Sequence, residues 1–516
     1  MPSSWLQEHG SLQLEPALVE IMNTPQFNRL HGLAQLGTSS YVFRDATHTR
    51  FAHSVGVAHL AEKMVTNFMR YQPYLNITKE DLLCVQIAGL CHDLGHGPYS
   101  HIWDNNFMKR MGIDWKHEQG SIDMLRFLLR DNNIDLRKYG LQERDLVFIE
   151  ELIMGVGPEK REGGRDSKKG FLYDVVNNVR SGLDVDKLDY FKRDTNRTGV
   201  GAAPAIGRFF DLARVCWARD ANHQPHRMIC YPEKMASEIA ILFRHRMSLH
   251  QTVYQHHGTK ALELMLVDAL CLAEPHFRVR GSVDAEHPDG RWRLSEAVSD
   301  MRAFTGLKDS VIDLIENAEA PALRPAQAII QRWQRRDLYK CADLPAVQAE
   351  IVEVARRALS AAAEVARTGG ACAPVREERG NAERAAADGE ETEEDDDEEG
   401  EEGEGGEAAA ALTEEDLILD ILHIHCGQGD RNPMAALRFY RKWDHACEDR
   451  PDRPLGRVVE KEAYINHLPR QLSIRQLRVF VRDGAKAEAA KAACEDWAEA
   501  HRLRCPEPEE KRDEDE

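Results

Sequence analysis

The residues best equipped for chemistry lie in one short run, LCHDLGHGPYSH, where His92 and Asp93 are adjacent at the end of an apolar segment. A neutral imidazole beside a carboxylate suits a borderline or hard divalent cation such as Fe, Mn or Zn. Consecutive side chains on a helix project about 100° apart, so both reach one ion only near the helix end. Gly95 and Gly97–Pro98 supply that end. Two more ligands are needed. The candidates are His53, in HTRFAHSVGVAHL at the start of a predicted helix, and Asp186, in GLDVDKLDYFKRD within another. Asp186 also reads as an ordinary surface carboxylate. A cation held this way binds a phosphate oxygen and lowers the pKa of a water toward neutrality.

Phosphate chemistry also needs cations to balance the leaving group and a proton donor. His96, His101 and His117 lie close in sequence to the metal run, and histidine exchanges protons near neutral pH. Singly, each reads as a structural histidine; as a cluster beside a metal, at least one reads as a general acid. His117, in WKHEQGS, sits on a separate segment and could face the site from another side. Asp186, Tyr190 and Asp194 fall four residues apart and share a helix face, as do Arg246, His250 and Tyr254. Each stripe is either a solvated face with a partly buried tyrosine or a pocket wall. In the second case Arg246 is a phosphate ligand, because its planar fork donates bidentately.

The elements that must position these groups are helical. Residues 1–345 are dense in helical pattern: Leu60–Tyr71, Leu82–Leu90, Ser121–Leu129, Leu146–Met154, Phe171–Arg180, Val185–Thr195 and Pro232–Ala273. The run DLLCVQIAGL is apolar on most sides and predicts a buried central helix. Short extended pieces such as Ser40–Phe43 are the exception. The expected architecture is a mainly α catalytic core over 1–345, with a helix and then an acidic, Gly/Glu-rich disordered insert over 346–411. A small α+β lobe over 412–502 and an acidic tail over 503–516 follow. In that lobe Gln476–Arg482 alternates like a strand and Ala485–His501 reads as a terminal helix.

Composition narrows the class. With 516 residues, 42% hydrophobic and 30% charged, the chain has the mixture of a soluble globular protein of two or three domains. Its net charge of −20 is concentrated in one late run, unlike that of a globally basic nucleic-acid binder. The 11 cysteines form no CxxC pair, which disfavours a disulfide framework and places the chain in a reducing compartment, nucleus or cytosol. No stretch approaches the roughly 18 apolar residues of a membrane span, and the start has no secretory leader.

The order His, His-Asp, Asp is the pattern of the HD superfamily. The stretches TPQFNRL, QLG, YVF, HTRFAHSVGV, LCVQIAGLCHDLGHGPYSH, KHEQGS, GLDVDKLDYFKRD and SLHQTVYQH closely resemble the eukaryotic SAM-and-HD-domain deoxynucleoside triphosphate triphosphohydrolases. They spread over about residues 9–275, with weaker similarity through RDLYK, EEDLILDI and NPMAALRFY. The resemblance implies an all-helical core and a divalent metal on His53, His92, Asp93 and Asp186, with Mg accompanying the substrate triphosphate. It implies that Arg50, Lys187 and Arg246 grip that triphosphate. His96, His101 and His117 would line the reacting phosphate, with His117 as proton donor and Asp104 orienting the histidines. Gln35 and Asp194 would bind the 3′ hydroxyl; Leu36, Tyr190 and Tyr254 would press on the sugar and exclude a ribose. The implied substrates are deoxynucleoside triphosphates, cleaved to deoxynucleoside and triphosphate, and the implied assembly is a homodimer or homotetramer, with weak single-stranded nucleic acid as a further partner.

The sequence departs from the family in two respects. The expectation is a chain that begins almost at the catalytic core, without a SAM domain ahead of it. Where the family reads an activating guanine nucleotide, this chain has Asn23, Asn28, His31, Pro232 and Glu238, while Arg208 and Lys234 survive. The expectation is weakened or absent GTP activation. Two rivals remain: another HD-family nucleotide phosphohydrolase, and a non-catalytic nucleic-acid-binding or regulatory protein using clusters such as RFYRK.

Overall fold

The computed structural model describes residues 3–220, 223–343, 412–442 and 449–500. The expected acidic insert and acidic tail lie outside these residues. Packing groups the chain into two compact units, Met1–Leu338 with Leu422–Ile474, and Tyr339–Ile421 with Arg475–Glu516. This grouping assigns 422–474 to the unit that holds the catalytic segments, whereas a division along the chain at 345 and 412 places it in the lobe.

The first unit is built on two long helices. The run DLLCVQIAGL forms Lys79–Cys91, buried along its length from Cys84 to Cys91. A reciprocal cap starts it: the Thr78 side chain accepts the Asp81 N–H at 3.2 Å, and Asp81 accepts that of Thr78 at 2.9 Å. It packs on Arg50–Tyr71, where a side chain on Gly89 would press on the Ala58 backbone at 3.3 Å. The helix Val185–Thr198 crosses the other side of Arg50–Tyr71. Gly56 makes that crossing possible, since a Cβ there would overlap the Asp189 carboxylate and come within 2.6 Å of Arg193. Helices His117–Asp131 and Glu143–Met154 flank the central pair.

Strands are minor here. A hairpin pairs Ser3–Leu6 with Gly10–Gln13, and Arg214–Arg219 pairs antiparallel with Pro225–Pro232, which adds Phe439–Tyr440 in parallel. In the second unit Arg478–Val481 pairs antiparallel with Lys340–Asp343, and the helix Ala487–Ala500 follows. The mainly α core and small α+β lobe are as the sequence implies.

Three local expectations are corrected. Ser40–Phe43 is not extended: Gly37–Tyr41 is a 3-10 turn closed by Val42 N–H to Ser39 O at 2.9 Å. Phe171–Arg180 is helical only as a 3-10 turn, Ser167–Leu172, and one α turn, Tyr173–Val176. There Asn178 takes over, binding Ser181 and the Leu183 carbonyl with its amide and pulling the chain into a loop. Pro232–Ala273 is not one helix. It runs as Ala236–Leu249, a π turn His250–Tyr254, and His257–Ala273. The π turn shifts the face that a straight α-helix would give His250 and Tyr254, and such turns concentrate at functional sites.

Candidate active site

His92 caps the C-terminal end of the buried helix and Asp93 follows it into a tight loop. The loop is pinned from outside. Ser121, on His117–Asp131, donates to the His92 carbonyl at 2.6 Å and accepts the Gly95 N–H at 2.8 Å. A Cβ at Gly95 would overlap the His117 carbonyl, so glycine lets the loop touch the start of that helix. Tyr99 and Ser100 both hold left-handed backbone, φ 58° and 60°. Each such residue costs about 1–3 kcal/mol, a strain characteristic of functional loops. The loop is held by Asp309, which accepts the Tyr99 N–H at 2.6 Å, and by Ser100, which accepts from Arg50 at 2.8 Å.

Four side chains from three distant segments meet here. His53 Nε2 lies 2.9 Å from Asp186 Oδ1 and 3.7 Å from Asp93 Oδ2. His92 Nε2 lies 3.4 Å from Asp93 Oδ1 and 3.5 Å from Asp186 Oδ1. Donor atoms of His53, His92 and Asp93 fall within 4.8 Å of one another. His92 donates its Nδ1–H to the Gly89 carbonyl at 2.8 Å, which leaves a lone pair on Nε2. That Nε2 is buried and has no hydrogen-bond partner. His53 Nδ1 meets Asp189 Oδ2 at 2.7 Å, the carboxylate–imidazole pairing that orients a metal-binding ring. Burial disfavours charge on His53, yet Asp186, Asp189 and Asp93 raise its pKa to about 10. A divalent cation would answer the same excess of negative charge and displace that proton. The donor set and the orphaned Nε2 therefore fit a cation.

Across the cleft stands a histidine cluster. His96 and His117 stack with ring centroids 4.0 Å apart, and His101 meets both edgewise at 4.9 and 5.4 Å. Asp104 sits in a π turn, Trp103–Met108, which the sequence did not announce. Its Oδ2 lies 2.8 Å from His117 Nδ1 and 3.5 Å from His96 Nδ1. Burial opposes charge on His117, but the Asp104 hydrogen bond and nearby carboxylates outweigh it and raise the pKa. Burial, then the Arg50 and His117 charges, push His96 well below the usual histidine range. Donor atoms of His96, His101, Asp104 and His117 also fall within 4.8 Å of one another.

Gln35, Arg50, His92, Asp93, His96, His101, His117, Asp186 and Tyr190 line one cleft, together with Glu118 and Asn177. Of the remaining sequence candidates, Asp104 stands behind His117, His53 is buried, and neither they nor Leu36, Lys187, Asp194, Arg246 and Tyr254 are among the residues lining this cleft. Leu36 follows Gln35 at the start of the 3-10 turn. Lys187 donates to Asp184 at 2.9 Å, and Tyr254 to Asp194 at 2.7 Å. Arg246 reaches the His425 carbonyl while its Nε is buried without a partner. Gln35 Oε1 is likewise buried and unpartnered. Arg50 is paired with Asp93 at 2.6 Å.

Several supporting residues escape sequence reasoning. Asp189 joins His53, His9 Nε2 at 2.7 Å and Arg193 at 2.8 and 3.0 Å. Arg193 is closed from the other side by Glu8 at 2.7 Å, so the N-terminal hairpin locks the back of the metal site. His48 Nε2 holds Asp194 Oδ1 at 2.8 Å. Asp189 stands three residues beyond Asp186 on one helix, the one local signal that could have found it.

The HD domain pattern matches residues 50–157. The mouse deoxynucleoside triphosphate triphosphohydrolase SAMHD1 is 34% identical over 506 residues, covering 93% of this chain and 69% of its own length. The human protein of that name is 33% identical, covering 92% and 69%. A homolog from Dictyostelium discoideum is 29% identical, covering 96% and 80%. On this similarity, spread over nearly the whole chain, the chain belongs to the SAMHD1 family of deoxynucleoside triphosphate triphosphohydrolases.

Proposed function

We propose that this protein hydrolyses deoxynucleoside triphosphates to deoxynucleoside and inorganic triphosphate. The observation that carries the reading is the convergence of two imidazoles and two carboxylates opposite a carboxylate-backed histidine, with His92, Asp93, Asp186 and His117 lining one cleft. His53, His92, Asp93 and Asp186 would hold a divalent cation, Fe, Mn or Zn. When bound, it supplies Lewis acidity toward a phosphate oxygen and makes water nucleophilic near neutral pH.

The chain's own groups do the rest. Water adds to the α-phosphorus and loses a proton to solvent, the bond from that phosphorus to O5′ breaks, and His117 gives its proton to O5′. Asp104 keeps His117 protonated and aimed. Arg50, Lys187 and Arg246 balance the triphosphate charge, and His96 and His101 line the phosphate as neutral donors. Gln35 and Asp194 would take the 3′ hydroxyl, which gives the orphaned Gln35 Oε1 a partner. Tyr190, Tyr254 and Leu36 would close on the sugar. Incubation of the purified chain with the four dNTPs and Mn²⁺ or Fe²⁺ tests this: triphosphate and deoxynucleoside should appear in equal amounts. Orthophosphate alone would exclude it and favour another phosphohydrolase activity.

Turnover would not need GTP. The groups at the activator positions are engaged locally. Asn28 donates to the Met22 and Thr24 carbonyls at 2.9 Å, and His31 stacks on Phe51 at 3.6 Å. Arg208 is paired with Glu238. Initial rates on dGTP with and without GTP should agree within a few-fold, and an obligatory GTP requirement would refute the reading. The nucleic-acid alternative draws on RFYRK, where Phe439 is buried and Arg438 is buried and bonded to the Arg219, Ala435 and Leu437 carbonyls.

A further inference from the structure

A second cleft, lined largely by basic side chains, lies apart from the candidate metal site. Arg161, Arg165, Arg180, Arg227, His226 and Ser167 line it, with a volume of about 210 Å3. Four of the nearby carboxylates pair with three of these groups. Asp81 and Asp145 both bind Arg165, at 2.6 and 2.5 Å. Asp174 takes Arg180 at 3.3 Å, and Asp220 takes His226 at 3.2 Å. Glu151 accepts three successive backbone N–H groups, of Glu162, Gly163 and Gly164, and the Tyr173 hydroxyl. Among the described residues, Arg161 and Arg227 have no carboxylate.

Arg161 is the most telling group. Its guanidinium lies over the Tyr173 ring, 3.7 Å from the centroid, and among the described residues it reaches the Gly170 carbonyl, at 3.5 Å. Its Nε is buried with no partner. Burial and the Arg180 charge lower its pKa, the mark of a cation short of a counterion. Arg227, on its strand, lies over the Trp217 ring at 5.6 Å. Guanidinium groups gathered around a small cleft match the oxygens of phosphate in charge and geometry.

We propose that this cleft is a second anion site, which takes the phosphate groups of a small oligophosphate. Its volume is below the roughly 300–1,000 Å3 of sites for larger organic ligands. A nucleotide could enter only by its phosphates. The site also has a short mechanical link to catalysis. Asn177 lines the catalytic cleft and Arg180 the basic one, three residues apart. Between them Asn178 donates its backbone N–H to Asp184 at 3.0 Å, and Asp184 caps the helix that carries Asp186 and Lys187. An anion drawing on Arg180 would bear on that loop. This coupling rests on the proposed dNTP hydrolysis; the binding itself does not.

Calorimetric titration of the full chain with inorganic pyrophosphate, and separately with GTP, tests the site. Three chains are compared: the parent, Arg227→Glu, and Lys187→Gln, which weakens the catalytic grip on phosphate. Pyrophosphate should bind the parent at two sites, and Arg227→Glu should lose one event while keeping the parent melting temperature. Lys187→Gln should retain the event that Arg227→Glu loses. Loss seen only with GTP assigns the same phosphate chemistry to a nucleotide source. Unchanged stoichiometry for both probes in Arg227→Glu overturns the proposal. Arg161→Gln repeats the test from the opposite wall. If coupling holds, added pyrophosphate changes kcat for dGTP in the parent and not in Arg227→Glu, while its competitive effect on KM persists in both.

Discussion

Replacing Asp189 with asparagine should separate cation binding from general stability. Asp189 is fully buried and accepts from His53, His9 and twice from Arg193. Asparagine keeps the shape, but turns an NH2 group toward at least one of those donors and leaves Arg193 with Glu8 alone. Breaking a buried pair on one side costs about 3–5 kcal/mol. The second consequence is specific. Asp189 fixes His53 with Nε2 facing Asp186 and Asp93, and loss of such a carboxylate typically weakens metal affinity about 10–100-fold. Glu8→Gln is the control. It removes the other carboxylate of Arg193, at roughly 1.5–3 kcal/mol for a charged hydrogen bond, and leaves the His53–Asp189 contact in place. The assay is Mn²⁺ affinity by competition with a chelating dye, beside urea unfolding of the metal-free chains. Asp189→Asn should lose affinity and stability, Glu8→Gln stability alone. If Asp189→Asn binds Mn²⁺ as tightly as the parent chain, the orienting role fails, whatever the stability result.

Further expectations concern the same cleft. His117→Gln should reduce kcat by about 10²–10⁴-fold, the usual worth of a general acid, with KM changed little; an equal loss in KM alone would mean a binding role. Gly56→Ala should be poorly tolerated, because its Cβ overlaps the Asp189 carboxylate; the fall in melting temperature should exceed that of Ala58→Gly on the same helix. Elemental analysis should find one tightly bound metal per chain, lost in His92→Ala. Two per chain would show that the His96–His101–Asp104–His117 cluster also holds an ion.

The candidate ligands were proposed from the sequence because His92 and Asp93 are adjacent and His53 and Asp186 flank them in the order of the HD pattern. His92-Asp93 at the end of an apolar run and His53 at a helix start needed only helix geometry. Their supports were not legible, because the contacts span the chain: His9 to Asp189 crosses 180 positions and His48 to Asp194 crosses 146. The hairpin that brings Glu8 and His9 to this helix is too short to show strand alternation over four residues a side. The two π turns, Trp103–Met108 and His250–Tyr254, were invisible for another reason. Each inserts one residue into a helical pattern without changing composition, so only the fold reveals which face Asp104 and Tyr254 present.

The proposal of His117 over His96 as the acid is supported by their contact. The rings stack at 4.0 Å, and two imidazolium charges that close in a buried site repel strongly, so one proton serves the pair. Asp104 decides where it resides: its Oδ2 is 2.8 Å from His117 Nδ1 but 3.5 Å from His96 Nδ1. Arg50, whose charge lowers the His96 pKa, adds to the bias. His117 thus keeps its proton above the ordinary histidine range and His96 stays neutral. A group acting as an acid with a raised pKa gives activity that is full below that pKa and falls as pH rises through it. Asp104→Asn removes the carboxylate that raises it, so the alkaline limb of kcat against pH should move to lower pH. An alkaline limb unmoved by Asp104→Asn would remove His117 from the acid's role and leave His96 or His101 to supply the proton.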